Sequence, residues 1–441
     1  MTEPRLKVLA IAEAANPEWV SVPLVGWSMA RALAGVADVH LVTQVRNREA
    51  ILRAGLVEGR DFTAIDSEAV AERMHRLSTI LRMGEGRGWT MKTALEGLAY
   101  PYFEHLVWKR FGAEIAAGAY DVVHRITPLS PTIPSGLAPK VAATGTPFVL
   151  GPLNGGVPWP RGFDAERRRE REWLSYVRSA YKLRPGRLRT LGAAAAIFAG
   201  SRYTASEIPA RFRHKTVWLP ENAIDPARFD RIAAQATALP LRGCFLGRLV
   251  PYKGCDMLIE AATELLRGGR LVLDIVGDGP MRADLEQQVA EAGLREAVTF
   301  HGQVPHQEVK TILSRANLLT FPSIREFGGG VVLEAMATGV VPLVVDYAGP
   351  GELVTSDTAI TVPIGPRDQI VADLRAALEE VAARPERLGP MAKAARRRAQ
   401  TLFTWDAKAR QVAEVYDKVT GRRADWPDPI GRSDKFEQSK Q

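Results

Sequence analysis

Two carboxylates frame the most informative stretch of the chain, SIREFGGGVVLEAMA at residues 323–337. Glu326 and Glu334 stand eight residues apart, with Gly328, Gly329, Gly330 and Val331 between them. An apolar run, NLLTFP, precedes them and reads as a buried strand. Consecutive glycines let a backbone approach a ligand closely. A helix that starts here and stops at Gly339 turns its free N–H groups and positive dipole end toward the carboxyl end of that strand. This makes an anion site suited to a diphosphate, with the two glutamates reaching different parts of one extended ligand.

A second cluster, GRLVPYKG at residues 247–254, follows another short strand, GCFLG. Arg248 offers a planar fork of donors and Lys253 a compact point charge. Two cations at a strand end can neutralise a departing diphosphate as its negative charge grows. A divalent ion does this work elsewhere, but no Asp-x-Asp pair stands ready to hold one, so no metal is expected. Other chemistries lack their parts. The loop after the first strand, AEAANPEW, is no dinucleotide fingerprint, and Gly277-Asp278-Gly279-Pro280 has too few glycines for one. There is no P-loop, no G-x-S-x-G elbow and no H-E-x-x-H, and the seven histidines have no ligand spacing. No cofactor is expected besides the donor substrate.

These residues need strands to present them. Apolar β-rich runs alternate with amphipathic stretches from end to end. The first half offers residues 6–11, 39–43, 121–124, 147–150, 195–199 and 216–219. The second offers 243–247, 271–276, 298–301, 318–321 and 340–345. Alternation of this kind predicts an α/β protein with parallel sheets. Some eleven strands exceed one comfortable twisted sheet, so two doubly wound domains are expected. They are placed at 1–225 and 240–402, with a boundary near 225–241, a helix near 405–420, and a polar tail at 423–441.

The E-x7-E stretch, the Arg-x4-Lys pair and the sequence Val276-Gly277-Asp278-Gly279-Pro280 closely resemble the retaining GT-B glycosyltransferases of glycosyltransferase family four. The likeness covers about 120 residues of the second half. It is looser in the first half, at Asp121-Val122-Val123-His124, at Gly151-Pro152-Leu153-Asn154-Gly155-Gly156 and at Ala199-Gly200-Ser201. The resemblance implies two Rossmann-like domains facing a cleft, with the nucleotide sugar on the second. It implies that Glu326 binds donor-sugar hydroxyls, Glu334 the ribose hydroxyls, and Arg248 and Lys253 the diphosphate. It also implies that His124 touches the donor sugar near the anomeric carbon, and that the last helix crosses back to the first domain. Where the family often carries a Gly-Gly pair after the first strand, this chain reads Val22-Pro23-Leu24-Val25-Gly26-Trp27 and keeps only Gly26. Gly26 and Asn154 are the acceptor-side candidates.

The expected reaction moves a sugar from a uridine or guanosine diphosphate to a glycan or lipid-linked acceptor, with retention, in surface polysaccharide or glycolipid assembly. No carboxylate is placed as a nucleophile behind the sugar, which favours a front-face route. A sugar-nucleotide epimerase on the same architecture is the first alternative, and a basic nucleic-acid-binding protein a weaker one. The latter has only the charge behind it, since no binding module is recognisable, and nucleic acid is not an expected partner.

The chain has 441 residues, 46% hydrophobic and 24% charged, enough for two cores. Its net charge is +8, and residues 161–189 hold ten basic against four acidic side chains, a net +6. That segment also sets Trp173, Tyr176, Val177 and Tyr181 at helical spacing. A basic helix with an aromatic face suits an anionic membrane surface; packing on the first domain is the alternative. The run Leu95–Trp108, with Tyr100, Tyr102, Phe103 and Trp108, reads as an acceptor groove or as core. No apolar run of about 18 residues and no signal peptide is read, so a cytoplasmic protein is expected, peripheral on the inner face of the cell membrane. Cys244 and Cys255 read as small core residues.

Overall fold

The computed structural model describes residues 4–68, 89–164, 185–229, 231–233, 238–428 and 430. They fall into two compact units. One takes the described residues of Met1–Gly155, Leu174–Glu221 and Trp405–Gln441, the other those of Gly156–Trp173 and Asn222–Thr404.

The first unit holds seven strands: β1 (Lys7–Ala12), β2 (Asp38–Gln44), β3 (Phe62–Ile65), β4 (Val122–Thr127), β5 (Phe148–Leu153), β6 (Ala196–Ala199) and β7 (Thr216–Trp218). All pair in parallel, in the order β3-β2-β1-β4-β5-β6-β7. Both faces of this sheet are covered, which is why its strands are continuously apolar. Along β1, Val8, Ala10 and Ala12 enter one core cluster while Leu9 and Ile11 enter the other, the period-two alternation of a strand. The first face is covered by Met29, Ala30 and Leu33 of the helix Val22–Leu33 and by Val412, Val415 and Tyr416 of the helix Trp405–Val419. The second is covered by the helix Trp89–Ala116, whose Tyr100, Phe103, Val107, Phe111 and Ile115 recur at helical spacing. Tyr100 and Phe103 are therefore core residues, and Tyr102 is the exposed one.

The second unit holds six strands: β8 (Leu241–Leu246), β9 (Leu271–Val276), β10 (Val298–Gly302), β11 (Leu318–Phe321), β12 (Val341–Asp346) and β13 (Ile360–Pro363). These are parallel too, in the order β10-β9-β8-β11-β12-β13. Both sheets thus start in the middle, run outward one way, and then reverse. The switch lies between β1 and β4 in one unit and between β8 and β11 in the other. Loops at the carboxyl ends of such a strand pair diverge and leave a crevice for ligands.

The sequence reading misses β3 and β13. Each is a four-residue edge strand with no continuous apolar run to announce it. The described residues of Gly156–Trp173, which the sequence alone assigns to the first half, cluster with the second unit. Most of the basic segment 161–189 lies outside the described residues, including Trp173, Tyr176, Val177 and Tyr181. The start of the polar tail is not frayed: Trp426 packs on the first unit's core, and the Lys418 ammonium lies 5.8 Å from its ring centroid. Cys244 and Cys255 are buried free thiols. Among the described residues, no helix is long and apolar enough to cross a membrane.

Candidate functional site

The second unit's switch point gathers the residues singled out above. Arg248 and Lys253 lie on the loop after β8; Glu326, Gly328 and Gly329 lie on the loop after β11, and Gly330 opens the helix that follows. The two loops are pressed together. A Cβ on Gly254 would sit 2.6 Å from the Pro322 carbonyl oxygen, and Gly254 itself is left-handed at φ 71°. The Tyr252 carbonyl accepts from the Ser323 hydroxyl at 3.1 Å and from the Ile324 N–H at 2.9 Å. This lock brings the Lys253 ammonium onto the Glu326 carboxylate, 73 residues away in sequence. Neither side chain is more than 19% exposed, so the pair is shielded from bulk water. The Lys253 ammonium also lies 4.7 Å from the centroid of Phe321. Arg248, by contrast, is exposed.

The loop after β9 backs the first of these loops. A Cβ on Gly277 would meet the Gly247 carbonyl oxygen at 2.0 Å, and one on Gly279 the Leu249 carbonyl oxygen at 2.4 Å. Leu249 donates to the Asp278 carbonyl at 3.0 Å. The glycines of Val276-Gly277-Asp278-Gly279-Pro280 are therefore there for close packing of backbone on backbone.

The helix Gly330–Thr338 starts from Gly329, which is left-handed at φ 58° and has Leu353 and Pro350 against it. It ends at Gly339, φ 78°, where Val340 donates back to the Ala335 carbonyl at 2.9 Å. Gly330 is different. A Cβ there would make only ordinary contact with Asn222, 3.6 Å away, and its backbone is helical. Val331 is half-buried beside it. One turn in, Glu334 is withdrawn from water, which pushes its pKa up to about 7 against the opposing charge of Arg228. Its carboxyl therefore ionises close to neutral pH. Among the described residues, no three His, Cys, Asp or Glu side chains are grouped to hold a metal ion.

Residues 241–398, which contain Arg248, Lys253, Glu326, Gly328, Gly329, Gly330 and Glu334, match the family of glycosyl transferases group 1. The second unit thus carries the match to the group 1 glycosyl transferases. A 2-deoxystreptamine glucosyltransferase from Streptomyces kanamyceticus is 36% identical over 130 residues, 27% of this chain and 33% of that protein. An alpha-D-kanosaminyltransferase from the same organism is 32% identical over 223 residues, 48% and 56% of the two chains. The chain thus matches between a third and just over half of the length of these curated relatives. A protein from Anabaena solved in complex with UDP superposes with a TM-score of 0.58 at 15% identity, over 94% of this chain and 100% of that one. At that identity the likeness is one of fold, the GT-B arrangement of two doubly wound units.

The first-unit candidates lie apart from the group 1 domain's loops in the sequence, and each has a local partner. His124, on β4, is fully buried. Its Nε2 lies 2.7 Å from the Gly151 carbonyl and its Nδ1 2.6 Å from the Tyr416 hydroxyl. A carbonyl can only accept, so Nε2 carries the proton and Nδ1 accepts from Tyr416. Burial lowers the ring's pKa to about 4 and keeps it neutral. Both ring nitrogens are engaged within the first unit's core, tying β4 to β5 and to the last helix. Gly26 is a packing glycine, since a Cβ would sit 2.1 Å from the Ala14 carbonyl oxygen. Asn154 follows β5 and donates its amide to Glu221 at 2.6 Å. The sequence reading also passes over Arg325 and Trp159, whose side chains meet in the second unit; the Pro-Trp-Pro that follows Gly155-Gly156 is the signal that marks the latter.

His124→Phe should leave a buried carbonyl and hydroxyl without partners, costing about 1–3 kcal/mol each. The folded ring refuses a proton that the unfolded chain accepts, so this histidine's contribution is lost as pH falls from 6.5 toward about 4. The stability gap between parent and variant in denaturant titrations should therefore narrow over that range; a gap that is absent or independent of pH would refute the assignment. A second pair of variants separates fold from ligand. Gly329→Ala should destabilise by about 1–2 kcal/mol through left-handed strain, whereas Gly330→Ala should melt like the parent yet bind nucleotide diphosphates more weakly. Equal affinity of Gly330→Ala and the parent would show that nothing approaches that backbone.

Proposed function

We propose that the chain transfers a sugar from a nucleoside diphosphate to a glycan or lipid-linked acceptor, with retention at the anomeric carbon. The observation that carries this is the convergence at one switch point of a shielded Lys253–Glu326 pair, an exposed Arg248 and a glycine-started helix with Glu334 one turn in. The names of the relatives, two of which are sugar transferases, and the UDP held by the Anabaena protein of the same fold support it.

In this reading the helix N-terminus and Arg248 take the diphosphate, Lys253 takes the oxygen that departs with it, and Glu334 accepts from the ribose hydroxyls. Glu326 accepts from sugar hydroxyls while its partner Lys253 stays within reach of the phosphate. The acceptor hydroxyl attacks the anomeric carbon on the face that the diphosphate leaves. The new C–O bond forms as the bond to the phosphate oxygen breaks, and the acceptor proton passes to that phosphate. Charge grows on the leaving group beside two cations, where a low-dielectric setting makes each worth more than in water. The same two cations do the work a divalent ion would otherwise do, so turnover should survive EDTA.

Incubation with UDP and GDP sugars should release the free nucleoside diphosphate and give a product with the donor's anomeric configuration by NMR. Glu326→Gln should lower kcat/KM by about a hundredfold or more. Interconversion of the sugar nucleotide without release would make the chain an epimerase, and activity lost to EDTA and regained with manganese would end the metal-free reading. The basic segment 161–189 is proposed as a contact with anionic membrane, each basic residue worth about 1 kcal/mol near such a surface. Binding to anionic vesicles should fall with salt and with serine at Arg167, Arg168, Arg169 and Arg171; unchanged sedimentation of that variant would remove the proposal.

A further inference from the structure

Just after Gly155, four residues leave the first half of the sequence and lie on the second unit: Gly156, Val157, Pro158 and Trp159. Gly156 turns through φ 73° to begin this strap. Val157 is buried, and its carbonyl accepts from Arg325 Nε at 3.0 Å. The next carbonyl, that of Pro158, accepts from the Tyr347 hydroxyl at 3.0 Å. The Trp159 ring lies over the Arg325 guanidinium at 5.0 Å and meets Tyr252 edge-on at 6.0 Å. Phe327 lies 5.5 Å from the same guanidinium.

Arg325 is only 6% exposed. A buried cation is costly unless it is well partnered. The partners of Arg325 include a backbone carbonyl and two aromatic faces, which suit a flat guanidinium better than an ammonium. Arg325 and Glu326 are adjacent and turn opposite ways, one into the strap and the other to Lys253. The backbone of Glu326 is held from a further side, since its carbonyl accepts from Gly349 at 3.2 Å. Tyr252 joins the two groups, because its ring meets Trp159 and its neighbour Lys253 meets Glu326.

We propose that the strap 156–159 is a working wall at the sugar end of the donor site, and that Arg325 is the positioning residue that holds both the wall and Glu326 in place. The inference rests on the transferase reading above. Trp159 brings an aromatic ring against Arg325 and Tyr252, the chain neighbours of Glu326 and Lys253, and an aromatic ring near a carboxylate suits a hexose, which has apolar C–H faces and polar rims. The strap's hydrogen bonds and ring contacts described above run to Arg325, Tyr347 and Tyr252, on the side assigned to the sugar, whereas Glu334 and the helix N-terminus are assigned to the nucleotide. Disturbing the strap should therefore change the affinity for the sugar conjugate and spare that for the nucleotide alone.

Calorimetric titration of the full chain with UDP, GDP, UDP-glucose and GDP-glucose tests this. Arg325→Lys, Trp159→Ala and Tyr347→Phe should each bind the preferred glucose conjugate more weakly, the first two by about tenfold. Affinity for the bare nucleotide should stay within about twofold of the parent. Loss of turnover should appear in KM more than in kcat. Variants that keep the parent's ratio of conjugate to nucleotide affinity would reduce the strap to a structural tie and overturn the proposal. If Arg325→Lys does not fold, Tyr347→Phe, which removes one hydroxyl and no packing volume, carries the same test. A parent that binds none of the four ligands would overturn the transferase reading and this wall with it, an outcome visible before any variant is made.

Discussion

The close approach of two loops at the β8/β11 switch governs the second unit's chemistry. Without a side chain at Gly254, the turn that carries Lys253 can lie against the Pro322 carbonyl. Without side chains at Gly277 and Gly279, the loop after β9 can support that turn from behind. The product of these contacts is a cation and a carboxylate held together out of bulk water. A pair of this kind is costly to desolvate and has little to offer stability. Its value is positional: each member keeps the other oriented.

The same economy of backbone appears in the first unit with a different outcome. Gly26 and Gly151 allow main chain to pack on main chain, 2.1 and 2.4 Å from where a Cβ would stand. Around Gly151 the buried His124 and Tyr416 complete a hydrogen-bonded chain from β5 through β4 to the last helix. That chain is neutral throughout, since burial lowers the histidine and raises the tyrosine. It joins residues 292 positions apart without the desolvation cost of an ion pair. One sheet thus uses its interior polar groups as fasteners, and the other brings its polar groups to the crevice.

Glu334 and Arg325 show how burial changes what a charged residue can do. Withdrawal from water leaves the Glu334 carboxyl poised near neutrality, where a small change in surroundings decides its charge. Arg325 is flat and forked, and so it can serve as a rigid bracket between aromatic rings and a carbonyl.

Local patterns determined much by themselves. Strands buried on both faces must be apolar along their length, and eleven of the thirteen described strands were legible; the four-residue edge strands Phe62–Ile65 and Ile360–Pro363, whose apolar residues are broken by threonine or proline, were not. Glycines beside Glu326 and Lys253 marked the candidate site, because φ requirements and close approaches are written in single residues. Tertiary structure alone decided what depends on distant partners. Whether His124 faced a ligand or the core turned on Tyr416 and Gly151, and no spacing in the sequence encodes that meeting. That Gly156–Trp159 joins the second unit turned on Arg325 and Tyr347, which lie 168 and 189 residues along from the carbonyls they hold. Propensity and periodicity act over one turn or one strand, whereas a hydrogen bond between elements exists only once both elements are packed.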